Sequence, residues 1–193
     1  AGAAGVTAVV GVTSLPATAE TSPVTAVEQT TTSAPMAREA YEHLTVDEAV
    51  LLEAIADHLI PADEHGPGAV DAHAVRFIDR ALGGALSNSL DAYHSGLAAF
   101  DRYCRSSRGG SFTSLSHTDQ VSALIDVETG AATGAGAGFV GSSAAFFGMV
   151  HDHVLQGTFG DPYYGGNANF VGWDLIGYPG VRTAVTENDQ LRL

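Results

Sequence analysis

Residues 86–104, LSNSLDAYHSGLAAFDRYC, put Leu86, Leu90, Tyr93, Leu97, Phe100 and Cys104 at alternating steps of four and three. Side chains at that spacing lie along one side of an α-helix, whereas a half-buried strand would need them two apart. Polar residues such as Asp91, Ser95 and Arg102 fill the other side. The stretch therefore reads as an amphipathic helix packed by one face onto a core.

The same period recurs on both sides of it. Upstream, Thr45 and Glu48 have the spacing of a capping box, where each side chain satisfies a free backbone N–H at a helix start. Leu51, Leu52, Ile55, Leu59 and Ile60 follow at helical intervals until Pro61 stops the run. The loop ADEHGPGA (62–69) carries Pro67-Gly68 as a turn signal. Asp71 is placed to cap a second helix with the stripe Val75, Ile78 and Leu82, closed by Gly83-Gly84. Downstream of the polar loop RSSRGGS (105–111), Ser116 with Asp119 opens a fourth helix bearing Val121, Leu124, Ile125 and Glu128. The low-complexity run GAATGAGAG (130–138) connects it to a fifth helix, roughly Ser142–Gln156, with Phe146, Phe147, Val150 and Val154. No segment alternates convincingly with period two. The expected fold is all-α, a compact array of about five helices preceded by a long irregular arm and followed by an irregular Gly- and aromatic-rich segment. Three regions result: a signal-like apolar segment at 1–19, an irregular arm or linker at 20–43, and a helical domain at 44–193.

Composition narrows the function classes. The 22 acidic residues outnumber 8 basic ones, for a net charge of −14, and every basic residue is Arg. Such a field repels polyanions, so nucleic-acid binding and docking of the folded part on an anionic membrane are set aside. The one cysteine, Cys104, permits no internal disulfide and no cysteine-ligated zinc or iron–sulfur site within the chain. Two readings of it stand. It is a small buried residue on its helical stripe, or, at a helix end beside a polar loop, it forms an interchain disulfide in an oxidising compartment.

Residues 1–19 (AGAAGVTAVVGVTSLPATA) carry no charge and are rich in Ala, Gly, Val and Thr. With several Gly and Thr and a single Leu, the stretch is a weak candidate for a membrane span. Ala17-Thr18-Ala19 fits the small-residue cleavage site of an export signal. Weak hydrophobicity of this kind suits the twin-arginine route, whose arginines would lie upstream of Ala1. The bland alternative is an apolar N-terminus. The Thr-, Ser- and Pro-rich residues that follow read as linker.

The oddest segment is 151–180, HDHVLQGTFGDPYYGGNANFVGWDLIGYPG. Its glycines permit positive φ and its aromatics can anchor a specific loop, either onto the domain's own core or onto a partner. Within it, His151-Asp152-His153 is the best local metal-ligand cluster, alongside Asp57-His58 and Asp63-Glu64-His65. Residues two apart on a helix point in different directions, so His151 and His153 would share a metal only in an extended chain. Glu53 and Asp57 could pair as carboxylates on the first helix, or merely form a solvated face. Nothing resembles a G-x-S-x-G nucleophile elbow, and GAGAG at 134–138 lacks the strand and βαβ unit of a dinucleotide site. Asp63, Glu64, His65, Asp161 and Asn167 are expected to hold turns by hydrogen-bonding backbone N–H groups.

Three runs in order, ADHLIPADEHGPGA (56–69), FIDRAL (77–82) and GTFGDPYYGGNANFVGWDLIGYPG (157–180), resemble the gluconate 2-dehydrogenase subunit 3 family. The resemblance extends from about Leu44 to Gly180, and the DPxYGGN…GWxxIGYPG block is its most specific part. It implies a non-catalytic small subunit with no cofactor of its own. Its large partner would carry FAD and oxidise a sugar or sugar acid such as gluconate, glucose or fructose. The resemblance also allows a cytochrome c subunit, with haem c and an iron–sulfur cluster in partner chains. It implies a periplasmic complex associated with the cytoplasmic membrane, and a role in assembly and twin-arginine export of the flavoprotein. The expected interface includes the arm before Tyr41 and, in the first loop, Pro61, Asp63, Glu64 and Pro67. Its second part is Phe159, Tyr163, Tyr164, Asn167, Phe170, Trp173 and Tyr178. The competing readings are an independent exported metal-dependent enzyme using His151 and His153, and a partner-free binding module.

Overall fold

Why five amphipathic segments should close around one core is visible in a computed structural model, which describes residues 40–133 and 138–180. The α-helices are α1 (Val46–Leu59), α2 (Ala74–Leu82), α3 (Leu90–Arg108), α4 (His117–Glu128), α5 (Ser143–Phe159) and the short α6 (Val171–Leu175). Among the described residues there is no strand, only an isolated bridge between Asp63 and Gly66. The all-α expectation holds, with one helix more than expected. Residues 1–19 and 20–39, the signal-like segment and nearly all of the arm, lie outside the described residues, as do 134–137.

The expected stripes meet in the centre. Leu52 and Ile55 of α1, Val75, Ile78 and Leu82 of α2, and Tyr93, Leu97, Phe100 and Cys104 of α3 are all buried. They enclose Phe112 and the inner face of α5, Phe146, Val150 and Val154. Each such large apolar side chain contributes about 1.5–3 kcal/mol when fully removed from water. α5 is the central helix and packs most extensively on α2 and α4. It approaches α2 closely because residue 157 is glycine: a Cβ there would lie 2.8 Å from the Ala74 backbone.

Caps set the helix starts. Thr45 and Glu48 form the full capping box of α1, and Ser116 accepts the Asp119 N–H to open α4. Asp71 does not cap α2. That helix starts three residues later, after His73 in the left-handed region, and Asp71 instead accepts the Gly68 N–H at 2.9 Å to hold the preceding turn. Leu86 precedes α3, separated from it by the 3-10 turn Ser87–Ser89. α4 is rolled relative to expectation: Ala123, Leu124 and Val127 face inward, while Val121 and Ile125 are exposed. Polar anchors accompany this roll. Gln120 donates to the Phe112 carbonyl (2.9 Å), and Asp126 accepts from Tyr103 (2.7 Å) and Arg108 (2.6 Å).

Candidate partner interface

α5 ends at Phe159, and the next twenty residues fold back over its end and over α2 by hydrogen bonds more than by a core of their own. Asp161 accepts the Tyr163 N–H (2.9 Å) and starts a 3-10 turn at Pro162–Tyr164. Asn167 then holds the segment from inside. Its backbone N–H donates to the Gly157 carbonyl (2.7 Å), its Nδ2 to the Gly160 carbonyl (2.9 Å), and its Oδ1 accepts from the Gly172 N–H (2.8 Å). Ala168 N–H adds a bond to the Ala72 carbonyl at 3.0 Å, linking the segment to the entry of α2. Gly172 sits so close to the Thr158 carbonyl that any side chain would collide with it. Trp173 Nε1 donates to the Phe159 carbonyl (2.8 Å), which orients the indole, and Tyr178 N–H donates to the Trp173 carbonyl (2.7 Å).

This segment also concentrates the backbone strain. Asn167, Asn169 and Phe170 have φ of 43°, 55° and 64°. Asn tolerates the left-handed region, but a bulky Phe there is an outlier that surrounding structure must enforce. The result is to turn Phe170 outward, 52% exposed. Tyr163 (86%), Tyr164 (63%), Ile176 (60%) and Tyr178 (47%) are exposed with it. The rings contact one another in an ordered series. Phe170 and Trp173 have centroids 5.6 Å apart, Trp173 and Tyr178 pack edge-to-face at 4.9 Å, and Tyr163 packs the same way on Tyr164 at 5.3 Å. Tyr163, Phe170, Trp173 and Tyr178, with Asp161 and Asp174, border an open cleft of about 540 Å³.

Of the three regions expected to face a partner, the arm before Tyr41 lies almost wholly outside the described residues, and the other two lie side by side. Gly66, in the first loop, is close enough to Leu175 of α6 that a Cβ on it would be 2.9 Å from Leu175 Cδ1. In that loop Asp63 and Gly66 exchange backbone bonds of 3.0 and 3.2 Å, and Asp63 Oδ1 accepts the His65 N–H at 2.8 Å. Asp63 and Asp161 therefore hold turns as expected. Pro61, Asp63 and Glu64 are exposed, Pro67 is half-buried, and Phe159 and Trp173 are half-buried. Asn167 is a correction. It is completely buried and spends its carboxamide inside the segment, so it shapes the surface without belonging to it.

The alternative chemical centres do not assemble. His153 points into the core, where its Nδ1 meets the Tyr93 hydroxyl at 3.0 Å, and burial lowers its pKa against the opposing pull of Asp152. His151, two residues away on α5, stacks on Phe147 at the surface side. Both lie on a continuous helix, so they do not converge on one ion. Glu53 accepts from the Tyr41 hydroxyl (2.6 Å), while Asp57 is exposed and His58 stacks on His117. Among the described residues no three His, Cys, Asp or Glu side chains gather as a metal site. Cys104 is wholly buried, and burial pushes its thiol up to about 12, with Arg108 drawing it down and Asp101 adding to the rise. That is the environment of the core-cysteine reading, and an interchain disulfide would need this thiol to become accessible as a thiolate.

Asp79 was missed by the sequence reading. Fully buried on α2, it accepts the N–H groups of Glu42 (2.8 Å), His43 (2.9 Å) and Leu44 (2.9 Å), fastening the incoming chain to the domain. The signal was present: Asp79 follows Val75 by four residues, so it lies on the buried stripe, where a carboxylate must find donors.

Comparison with known proteins gives one family. The family described as "Gluconate 2-dehydrogenase subunit 3" matches residues 46–180, from the start of α1 to the end of the aromatic segment. No curated protein and no solved structure matches. Among the described residues, no helix is long and apolar enough to cross a membrane.

Proposed function

Since the chain belongs to the gluconate 2-dehydrogenase subunit 3 family and is thus a subunit of a dehydrogenase complex, we propose that it is the non-catalytic small subunit of an exported flavoprotein dehydrogenase. The observation that carries this reading is the built, outward-facing aromatic segment Tyr163–Tyr178. An isolated domain has no use for four large rings held in solvent by a buried asparagine, a strained backbone and an indole bond. Exposed aromatic clusters of this kind are the anchors of stable interfaces, where they fill pockets on the other protein.

In this reading the partner is a larger FAD-bearing subunit that oxidises a sugar or sugar acid of the gluconate, glucose or fructose type. A cytochrome c subunit can accept the electrons, and haem c and any iron–sulfur cluster belong to those other chains. The small subunit stabilises the flavoprotein and accompanies its export to the periplasm by the twin-arginine route, with residues 1–19 as part of the signal. Membrane association comes through the complex.

The test is co-purification from the native host through a tag on this chain. A larger polypeptide, flavin absorbance and dye-linked oxidation of one of these sugars are expected in the eluate. Elution of the chain alone, with neither flavin nor activity, would sink the proposal.

A further inference from the structure

We infer that the cleft between the Pro162 turn and α6 receives a cationic segment of the dehydrogenase partner, an arginine or lysine whose charge lies between Asp161 and Asp174 against the aromatic rings. The inference rests on the subunit reading above and specifies which chemistry the partner must present. It starts from the lining. Tyr163, Phe170, Trp173 and Tyr178 supply aromatic rings, Asp161 and Asp174 supply the two charges, and no Lys or Arg is among the described residues that border the space. Neither carboxylate has an ion-pair partner among the described residues. Asp161 uses one oxygen on the Tyr163 N–H, which leaves the other for an incoming donor.

Negative charge beside the faces of aromatic rings is the pattern that selects a cation, and a planar guanidinium can stack on a ring while hydrogen-bonding a carboxylate. The site is also prepared in advance. Trp173 is oriented by the Phe159 carbonyl, Tyr178 is packed on its edge, and the left-handed backbone at Phe170 keeps that ring turned out. Preorganisation of this sort lessens the ordering penalty of binding. The whole chain, at −14, attracts a basic surface during approach. A volume of about 540 Å³ exceeds a single side chain, so the cation arrives with its neighbouring residues.

The test uses the full-length chain in complex with its co-purified partner. Affinity is measured at low and high salt for the native pair and for the double variant Asp161→Asn, Asp174→Asn. The double variant should bind about tenfold more weakly at low salt and show a shallower salt dependence than the native pair, the two curves drawing together at high salt. Asp174→Lys should weaken the complex further. Separately, p-benzoylphenylalanine in place of Tyr163 should, on illumination, cross-link to a partner peptide containing Arg or Lys. Equal affinities and salt slopes would overturn the inference while leaving the subunit reading intact. So would a cross-link confined to residues 181–193 of the same chain, to a second copy, or to a partner peptide without a basic residue. A native chain that retains no partner would overturn both readings.

Discussion

Two sets of aromatic side chains in this molecule obey opposite rules. Tyr93, Phe100 and Phe112 are wholly buried in the core, where they fill space between helices. Tyr163, Tyr164, Phe170 and Tyr178 are displayed to solvent on a scaffold whose own interior is polar: a buried Asn167, glycine contacts and carbonyl bonds. The first set spends its apolar area on folding. The second leaves it exposed on the short helix α6 and the turns beneath it, which is what the proposed association would use. Stability and recognition are therefore separable by mutation, and the contrast can be broken or sharpened in order of expected effect.

The largest effect belongs to the core. Phe100→Ala should destabilise the domain by about 3–5 kcal/mol through lost burial and a residual cavity. Chemical denaturation should show it, and a loss below about 1 kcal/mol would mean that the bundle repacks too readily for this contrast to hold. Asn167→Ala is the bridging case. It strands the Gly160 carbonyl and the Gly172 N–H, each a group of the kind whose orphaning costs about 1–3 kcal/mol. Hydrogen exchange should then accelerate over 160–178 while α1–α4 stay protected, and partner retention should fall with it. Uniform acceleration throughout would instead make the segment part of one cooperative core.

Tyr163→Ala separates the two roles most cleanly. At 86% exposure its loss should alter stability by no more than about 0.5 kcal/mol. It should still weaken the complex by about 1–2 kcal/mol, as for an interface aromatic, in a binding titration. The smallest effect is a pH slope. Burial depresses the His153 pKa, so between that folded value and the unfolded one near 6.5 the unfolded chain binds more protons. The His153 contribution is thus fully present above the unfolded value and declines as pH falls below it. Thermal melts across this range should show a shallower acid decline for His153→Gln than for the native chain, provided the Tyr93 contact is kept. Parallel curves would show that His153 charges as easily in the fold as outside it.

Periodicity and caps were legible without a structure because they are local. Thr45 and Glu48, Ser116 and Asp119, and the stripes on α1, α2, α3 and α5 each depend on residues within a turn or two of one another. Composition also pointed to 151–180 as an unusual, turn-rich segment, although 151–159 are the end of α5, and Asp63 and Asp161 hold turns as their chemistry suggested. What lay beyond the sequence were the choices made by contacts distant along the chain. α4 carries apolar residues on more than one side, and the bonds of Gln120 and Asp126 to Phe112, Tyr103 and Arg108, with the burial of Ala123, Leu124 and Val127, accompany the roll that leaves Val121 and Ile125 facing out. Asp79 needed the returning chain at 42–44 before its buried carboxylate had donors. Asn167 and Tyr163, four residues apart in one motif, part company, one interior and one exposed. That division was decided by the carbonyls at the end of α5 and by the open space beside α6, which exist only once the helices have packed.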